Sequence, residues 1–205
     1  MKIYKIEYEM PNTANYAEFQ VLEESPWAGG LLFMNRYEKM QTLPIEYKTT
    51  NKVKTSDFPY SYNFLVSENF RDVIKKLNEE FEALESVVFY RGKNLKAYCE
   101  QSGNADGRIW ETFYTMIFPE YNLFNWEKSI YTPKVSRVTG ERIVTDLKKL
   151  VLDKRIIDEN KAALNKNNFF SLTDEPIKRF CTEKAKLAIE EAGLTGIEFE
   201  EVEVM

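Results

Sequence analysis

Carboxylates are the side chains in this sequence best placed to do chemistry. Glu111, Glu120, Glu127, Asp146, Asp153 and Asp158 are the candidates for a pair working as general acid and base, which is all that glycoside hydrolysis needs. The chain holds 33 acidic residues, so some pair always falls at a plausible spacing, and solvated or ion-paired surface carboxylates explain them more simply. Histidine is absent altogether. That removes Ser-His-Asp and Cys-His catalysis, histidine-ligated zinc, and the side chain that moves protons most readily near neutral pH. The two cysteines, Cys99 and Cys181, are far apart and outside any CxxC, so they form neither a thiolate zinc site nor a disulfide framework. No GxxxxGK[ST], GxGxxG or GxSxG occurs. The residues point to a protein that is not an enzyme and needs no cofactor or metal.

Two segments suit recognition instead. One is the acidic strand around Glu198, Glu200, Glu201 and Glu203, whose charges either keep an edge strand from pairing with neighbours or meet a basic partner. The other is Asn122 to Tyr131, in which Trp126 and Glu127 are candidate contacts and Trp126 is equally suited to packing. Trp126, Glu127, Glu198 and Glu200 are the expected partner-binding residues.

The elements that must position them follow from periodicity. Residues 1–9 alternate, with Tyr4, Ile6 and Tyr8 on the expected buried face of a strand that Pro11-Asn12 ends. Tyr16 to Leu22 suggests a second strand, Trp27-Ala28-Gly29-Gly30 a turn before the apolar run Leu31 to Met34, and residues 40–60 irregular strand limited by Pro44 and Pro59. Phe64-Leu65-Val66 reads as a short buried strand before Ser67, a helix N-cap, and Glu68 in the first turn. Phe70, Val73, Ile74 and Leu77 then form one apolar helical face, and Val87 to Tyr90 a strand.

The same arrangement recurs 115 residues later. Arg179-Phe180-Cys181 precedes Thr182 and Glu183. Ala185, Ala188, Ile189 and Ala192 repeat the helical face, Gly193 ends it, and Ile197 to Val204 alternates as an exposed strand. Between the two units, 91–109 reads as an exposed connection, 110–118 as a buried aromatic segment and 132–142 as a loop or hairpin. Leu147 to Ile157 reads as strand, 158–168 as a polar stretch, and Phe169-Phe170 as strand. No linker stands out, so the expectation is one α+β domain over 1–205, mostly antiparallel sheet with two similar strand–cap–helix–strand units.

The formal net charge of −5 disfavours nucleic acid and anionic membrane as partners. No signal-peptide core and no apolar run of transmembrane length occurs, so a soluble cytoplasmic protein is expected.

Three ordered segments resemble an immunity-protein family of bacterial polymorphic toxin systems, long carried as a domain of unknown function. They are Asn125-Trp126-Glu127-Lys128-Ser129-Ile130-Tyr131, Leu150-Val151-Leu152-Asp153 and Asn168-Phe169-Phe170-Ser171-Leu172. The closing Ala192-Gly193-Leu194-Thr195-Gly196, after the Thr182-capped helix and before an alternating strand, fits the same pattern. The resemblance covers residues 60–204, most strongly 122–204; residues 1–60 match only in being strand-rich. It implies a small, acidic cytoplasmic protein encoded beside a toxin, protecting its producer by binding the toxin directly. A specific interface of that kind buries about 1,600 Å² in total. It transfers no catalytic residues and does not specify the toxin. Two other readings remain open: a scaffold that assembles with itself or with other proteins, and a metal-free carboxylate hydrolase.

Overall fold

The computed structural model describes residues 1–9, 20–21, 45–49, 56–61, 63–90, 110–135 and 142–205. The turn expected at 27–30, the apolar run 31–34, the connection 91–109 and Cys99 lie outside them, as does most of the strand expected at 16–22.

Fourteen strands and four helices are described. The strands are β1 (Ile3–Tyr8), β2 (Gln20–Val21), β3 (Ile45–Lys48), β4 (Leu65–Val66), β5 (Glu82–Phe89), β6 (Trp110–Ile117) and β7 (Glu120–Tyr121), followed by β8 (Ile130–Val135), β9 (Arg142–Lys149), β10 (Val151–Leu152), β11 (Phe169–Leu172), β12 (Glu175–Thr182), β13 (Ile197–Glu201) and β14 (Glu203–Val204). The helices are α1 (Glu68–Leu77), α2 (Lys154–Glu159), α3 (Lys161–Lys166) and α4 (Glu183–Glu191). One five-stranded sheet runs β13-β1-β12-β11-β7 and another β2-β3-β5-β6-β4; β10 pairs with β14, and β8 with β9. Most neighbours are antiparallel, the exceptions being β3–β5, β7–β11 and β10–β14. The fold is α+β, as expected.

The sequence echo has a topological counterpart. β4 and β5 both run antiparallel to β6 and flank it, so α1 crosses over β6 to join two parallel strands. β12 and β13 flank β1 in the same way, and α4 crosses over β1. Each unit is therefore a split β-α-β. The central strand follows the unit in the first case and precedes it in the second. Equivalent helix positions are buried: Phe70 and Ala185 near the start, Ile74 and Ile189 one turn later. Val73, Leu77 and Ala188 are only half-buried and Ala192 is exposed, so the buried stripe is narrower than the four-position pattern.

The two caps differ. Ser67 Oγ accepts the amide N–H of Phe70 at 3.3 Å and donates to Asp57 Oδ1 at 2.7 Å. The Thr182 hydroxyl makes no helix-capping bond and donates to Asn168 Oδ1 at 2.6 Å instead. Past α4, Gly193 at φ +63° donates to Glu190 O at 3.1 Å, and the Leu194 N–H reaches Ile189 O at 3.3 Å. This paired arrangement satisfies carbonyls that a helix end leaves open, and it favours glycine.

The main core lies among α1, α4 and the two large sheets, with Tyr4, Ile6, Phe64, Phe70, Phe118, Phe169 and Cys181 at its centre. Phe118 stacks on Phe169 with ring centroids 5.8 Å apart, one of several aromatic contacts that fill it. β1 serves two cores. Tyr4 and Ile6 face this one, while Ile3, fully buried, joins Phe170, Phe180, Val202, Leu152 and Ile157 on the opposite side. The alternation in residues 1–9 assigns the first face correctly and gives no sign that Ile3 is buried behind it. A third cluster, including Ile45, Tyr47, Leu65 and Phe113, fills the far side of the second sheet.

Asparagines join the halves. Asn78, at the end of α1, accepts the Phe169 N–H and donates to Phe169 O, both at 2.8 Å. Asn167 Oδ1 accepts the Glu80 N–H at 2.8 Å, and Asn168 donates to Leu77 O at 2.7 Å. Side chains here form the ladder that a strand edge would otherwise supply.

Candidate functional site

The acidic strand is held from behind. On β13, Phe199 meets the Tyr4 ring edge-on at 6.3 Å, and Ile197 and Phe199 pack against the main core. The alternate residues Glu198 and Glu200 therefore face away from that core and are exposed, and Glu201 is exposed at the strand end. β13 pairs only with β1 among the described residues, which makes it an edge strand of this sheet there.

Lys5, opposite Glu200 in the β1–β13 ladder, modifies the charge. Its ammonium donates to Glu200 Oε2 at 2.9 Å and also pairs with Glu7. Burial lowers the Lys5 pKa, but its bonds and charges with Glu7 and Glu200 outweigh that and leave it raised. Lys2 stands 3.6 Å from Glu201, with both side chains more than half exposed. Glu198 pairs with no described cation. The face is thus acidic with Glu198 uncompensated, and Glu200 is fixed in place by Lys5.

Trp126 and Glu127 occupy a different place. Asn125 Oδ1 accepts the N–H groups of Glu127 at 3.2 Å and Lys128 at 3.1 Å, closing a turn on its own side chain. Trp126 is half-buried, its ring 4.7 Å from Phe124 and 5.4 Å from Tyr131, so it braces the base of β8. Glu127 is exposed. Phe124 bridges to Leu152 and Leu152 pairs with Val204, which puts β10 between this turn and the chain leading back to β13. The four expected contact residues thus form two separate surfaces, Trp126 and Glu127 on one, Glu198 and Glu200 on the other.

The motif residues of the family resemblance carry structural roles. Ser129, buried, bonds both backbone groups of Val151. Asp153 Oδ1 caps α2, accepting the N–H groups of Arg155 at 2.9 Å and Ile156 at 3.3 Å. Asn168 takes the Thr182 hydroxyl.

Of the six carboxylates considered for catalysis, Asp153 and Asp158 share an open depression of about 580 Å³ with Lys154, Arg155, Glu159 and Met205. Glu111 accepts the Tyr90 hydroxyl at 2.7 Å, Asp146 lies 3.9 Å from Lys148, and Glu120 and Glu127 are exposed. Among the described residues, no group of three or more His, Cys, Asp or Glu is placed to hold a metal ion. Cys181 is buried, and burial pushes its thiol pKa up, away from nucleophilic reactivity. No helix among the described residues is long and apolar enough to cross a membrane.

The single strand expected over 147–157 breaks at Leu150. The hairpin alternative for 132–142 matches the antiparallel β8–β9 ribbon, whose strands reach well beyond those bounds, from Ile130 to Lys149. The alternation of Ile143, Thr145 and Leu147 was the available signal. Compared with known proteins, the chain matches no family model and no curated protein.

Proposed function

We propose that the chain is an immunity protein of a bacterial polymorphic toxin system: a non-enzymatic cytoplasmic domain that binds and silences one cognate toxin. The observation carrying this reading is β13, an edge strand among the described residues, anchored in the core by Phe199 and presenting Glu198, Glu200 and Glu201 to solvent. An unpaired strand edge takes an extended segment through main-chain hydrogen bonds. Its carboxylates speed encounter with a basic protein and penalise an acidic one. A toxin that grips nucleic acid with a cationic groove has the complementary chemistry. Steric occlusion of that groove accounts for silencing without any catalytic group on this chain.

Co-expression tests the proposal. A toxin domain encoded beside this gene is produced in a sensitive host with the wild-type chain or with Glu198→Lys. Growth restored by the wild type and weakened by the variant is the expected result. A wild-type chain that is soluble and gives no protection rejects the reading.

A further inference from the structure

The β8–β9 ribbon differs in character from the rest of the chain. β8 is exposed along its length apart from half-buried Tyr131, with Ile130 55% and Val135 62% exposed. Such ribbons gain stability when a further strand or surface covers them. Near its base, Thr145 of β9 pairs with Thr132 and Lys149 with Ile130, so residues 146–148 bulge opposite Tyr131, with Asp146 at φ +48°. A bulge of this kind bends the ribbon.

Its charge is also opposite to that of the body. Lys134, Arg142, Lys148 and Lys149 stand against Asp146 alone, a net +3 in the two strands. The whole chain is −5, so the remainder carries −8. Lys149 is bound to Glu203 at 2.6 Å at the base, while Lys134 has no described carboxylate partner.

We propose that the β8–β9 ribbon is a self-association arm that docks on the acidic β13 edge of a second copy of this chain. Both halves of the joint are present in one molecule: among the described residues, the basic ribbon and the acidic β13 each have an edge with no neighbouring strand. Pro133 removes a donor from the outer edge of β8, so β9 is the strand that pairs across the joint. Lysines of the arm facing Glu198 and Glu201 turn the acidic edge, which repels a like strand, into one that accepts this strand. A two-fold axis lets each arm reach the other copy's edge, closing a dimer instead of a fibre. Self-association holds whether or not a toxin binds, but it uses the same edge and so competes with the partner proposed above.

Sedimentation velocity on the full chain at low and high salt tests it. The expected result is a dimer at low salt that dissociates as salt rises. Lys134→Glu with Lys148→Glu reverses the arm, and Glu198→Lys with Glu201→Lys reverses the edge. Each double variant alone is expected to be monomeric, and an equimolar mixture is expected to recover the dimer, because both joints regain opposite charges. Val135→Asp, which touches no ion pair, gives a second arm variant, and circular dichroism shows that each variant is folded. A wild-type chain that stays monomeric at low salt, or a dimer that survives in both reversed variants, overturns the proposal.

Discussion

Ser129 Oγ accepts the Val151 N–H at 3.0 Å and donates to Val151 O at 3.1 Å, so one hydroxyl stands in for a rung of backbone ladder. The contact joins the turn before β8 to β10, and β10 in turn pairs with β14, the last strand of the chain. Ser129→Ala takes this partner from the buried Val151 N–H, while Val151 O keeps the Asn125 N–H at 2.9 Å, and is expected to cost about 1–3 kcal/mol in denaturant unfolding. An unchanged midpoint would show that solvent reaches Val151 when the hydroxyl is gone.

The two glycines after α4 should respond very differently to alanine. Gly196 sits at φ +87°, and a Cβ there would lie 2.6 Å from Ser56 Cβ and 2.7 Å from Phe58 O. Gly193, at φ +63°, has nothing within 4 Å. Gly193→Ala therefore carries backbone strain alone, about 1 kcal/mol, whereas Gly196→Ala adds a backbone clash and is expected to exceed about 2 kcal/mol. Thermal unfolding of the two variants side by side checks the order.

Asn78→Ala removes both bonds to the Phe169 backbone, where α1 meets β11. A loss of about 2 kcal/mol or more is expected by denaturant unfolding, because the groups left behind are buried. Asn78→Asp should not rescue it, since a carboxylate cannot donate to Phe169 O.

Stability should be flat between about pH 6 and 8, where an unperturbed histidine would titrate, and should fall in alkali. Burial raises Tyr47 from 10.0 to about 12 and pushes Tyr8, Tyr90 and Cys181 up as well. Between the unfolded and folded values the unfolded chain releases protons that the folded one keeps, so stability drops as pH rises. Lys5, raised in the folded state, acts in the same direction. Arg179, lowered by burial to about 10, acts in the opposite one. The net expectation is a decline that starts near the ordinary cysteine and tyrosine values of 9.0 and 10.0 and continues toward about 12. Urea midpoints against pH measure it, and Tyr47→Phe should make the decline shallower.

Much of the fold was legible because its signals are local. The apolar spacing of Phe70 and Ile74, repeated in Ala185 and Ile189, marks both helices and the core they share. The misses lie where long-range pairing decides. The apolar run at 147–157 reads as strand, yet Leu150 breaks it and Asp153, a capping residue, starts α2. The stretch 158–168 is polar in composition, but Ile157 and Leu164 anchor α2 and α3 on the second core. Residues 197–204 read as one alternating strand, but the phase shifts at Glu200-Glu201, and Val202 turns inward between β13 and β14. The acidic strand was visible as alternation. That Lys5 would neutralise part of it was not, since the pair is 195 residues apart. Trp126 gave no sequence sign of its setting; its ring lies half-buried against Phe124 and Tyr131 at the base of β8.

Capture from the native host tests the central claim most directly, with the tagged wild-type chain and Glu198→Lys as parallel baits and mass spectrometry of what elutes. The account predicts that the wild type recovers the carboxy-terminal toxin domain of a large secreted protein in equal stoichiometry, and that the variant recovers less of it. Recovery of the chain alone, with the neighbouring toxin gene expressed, would contradict it.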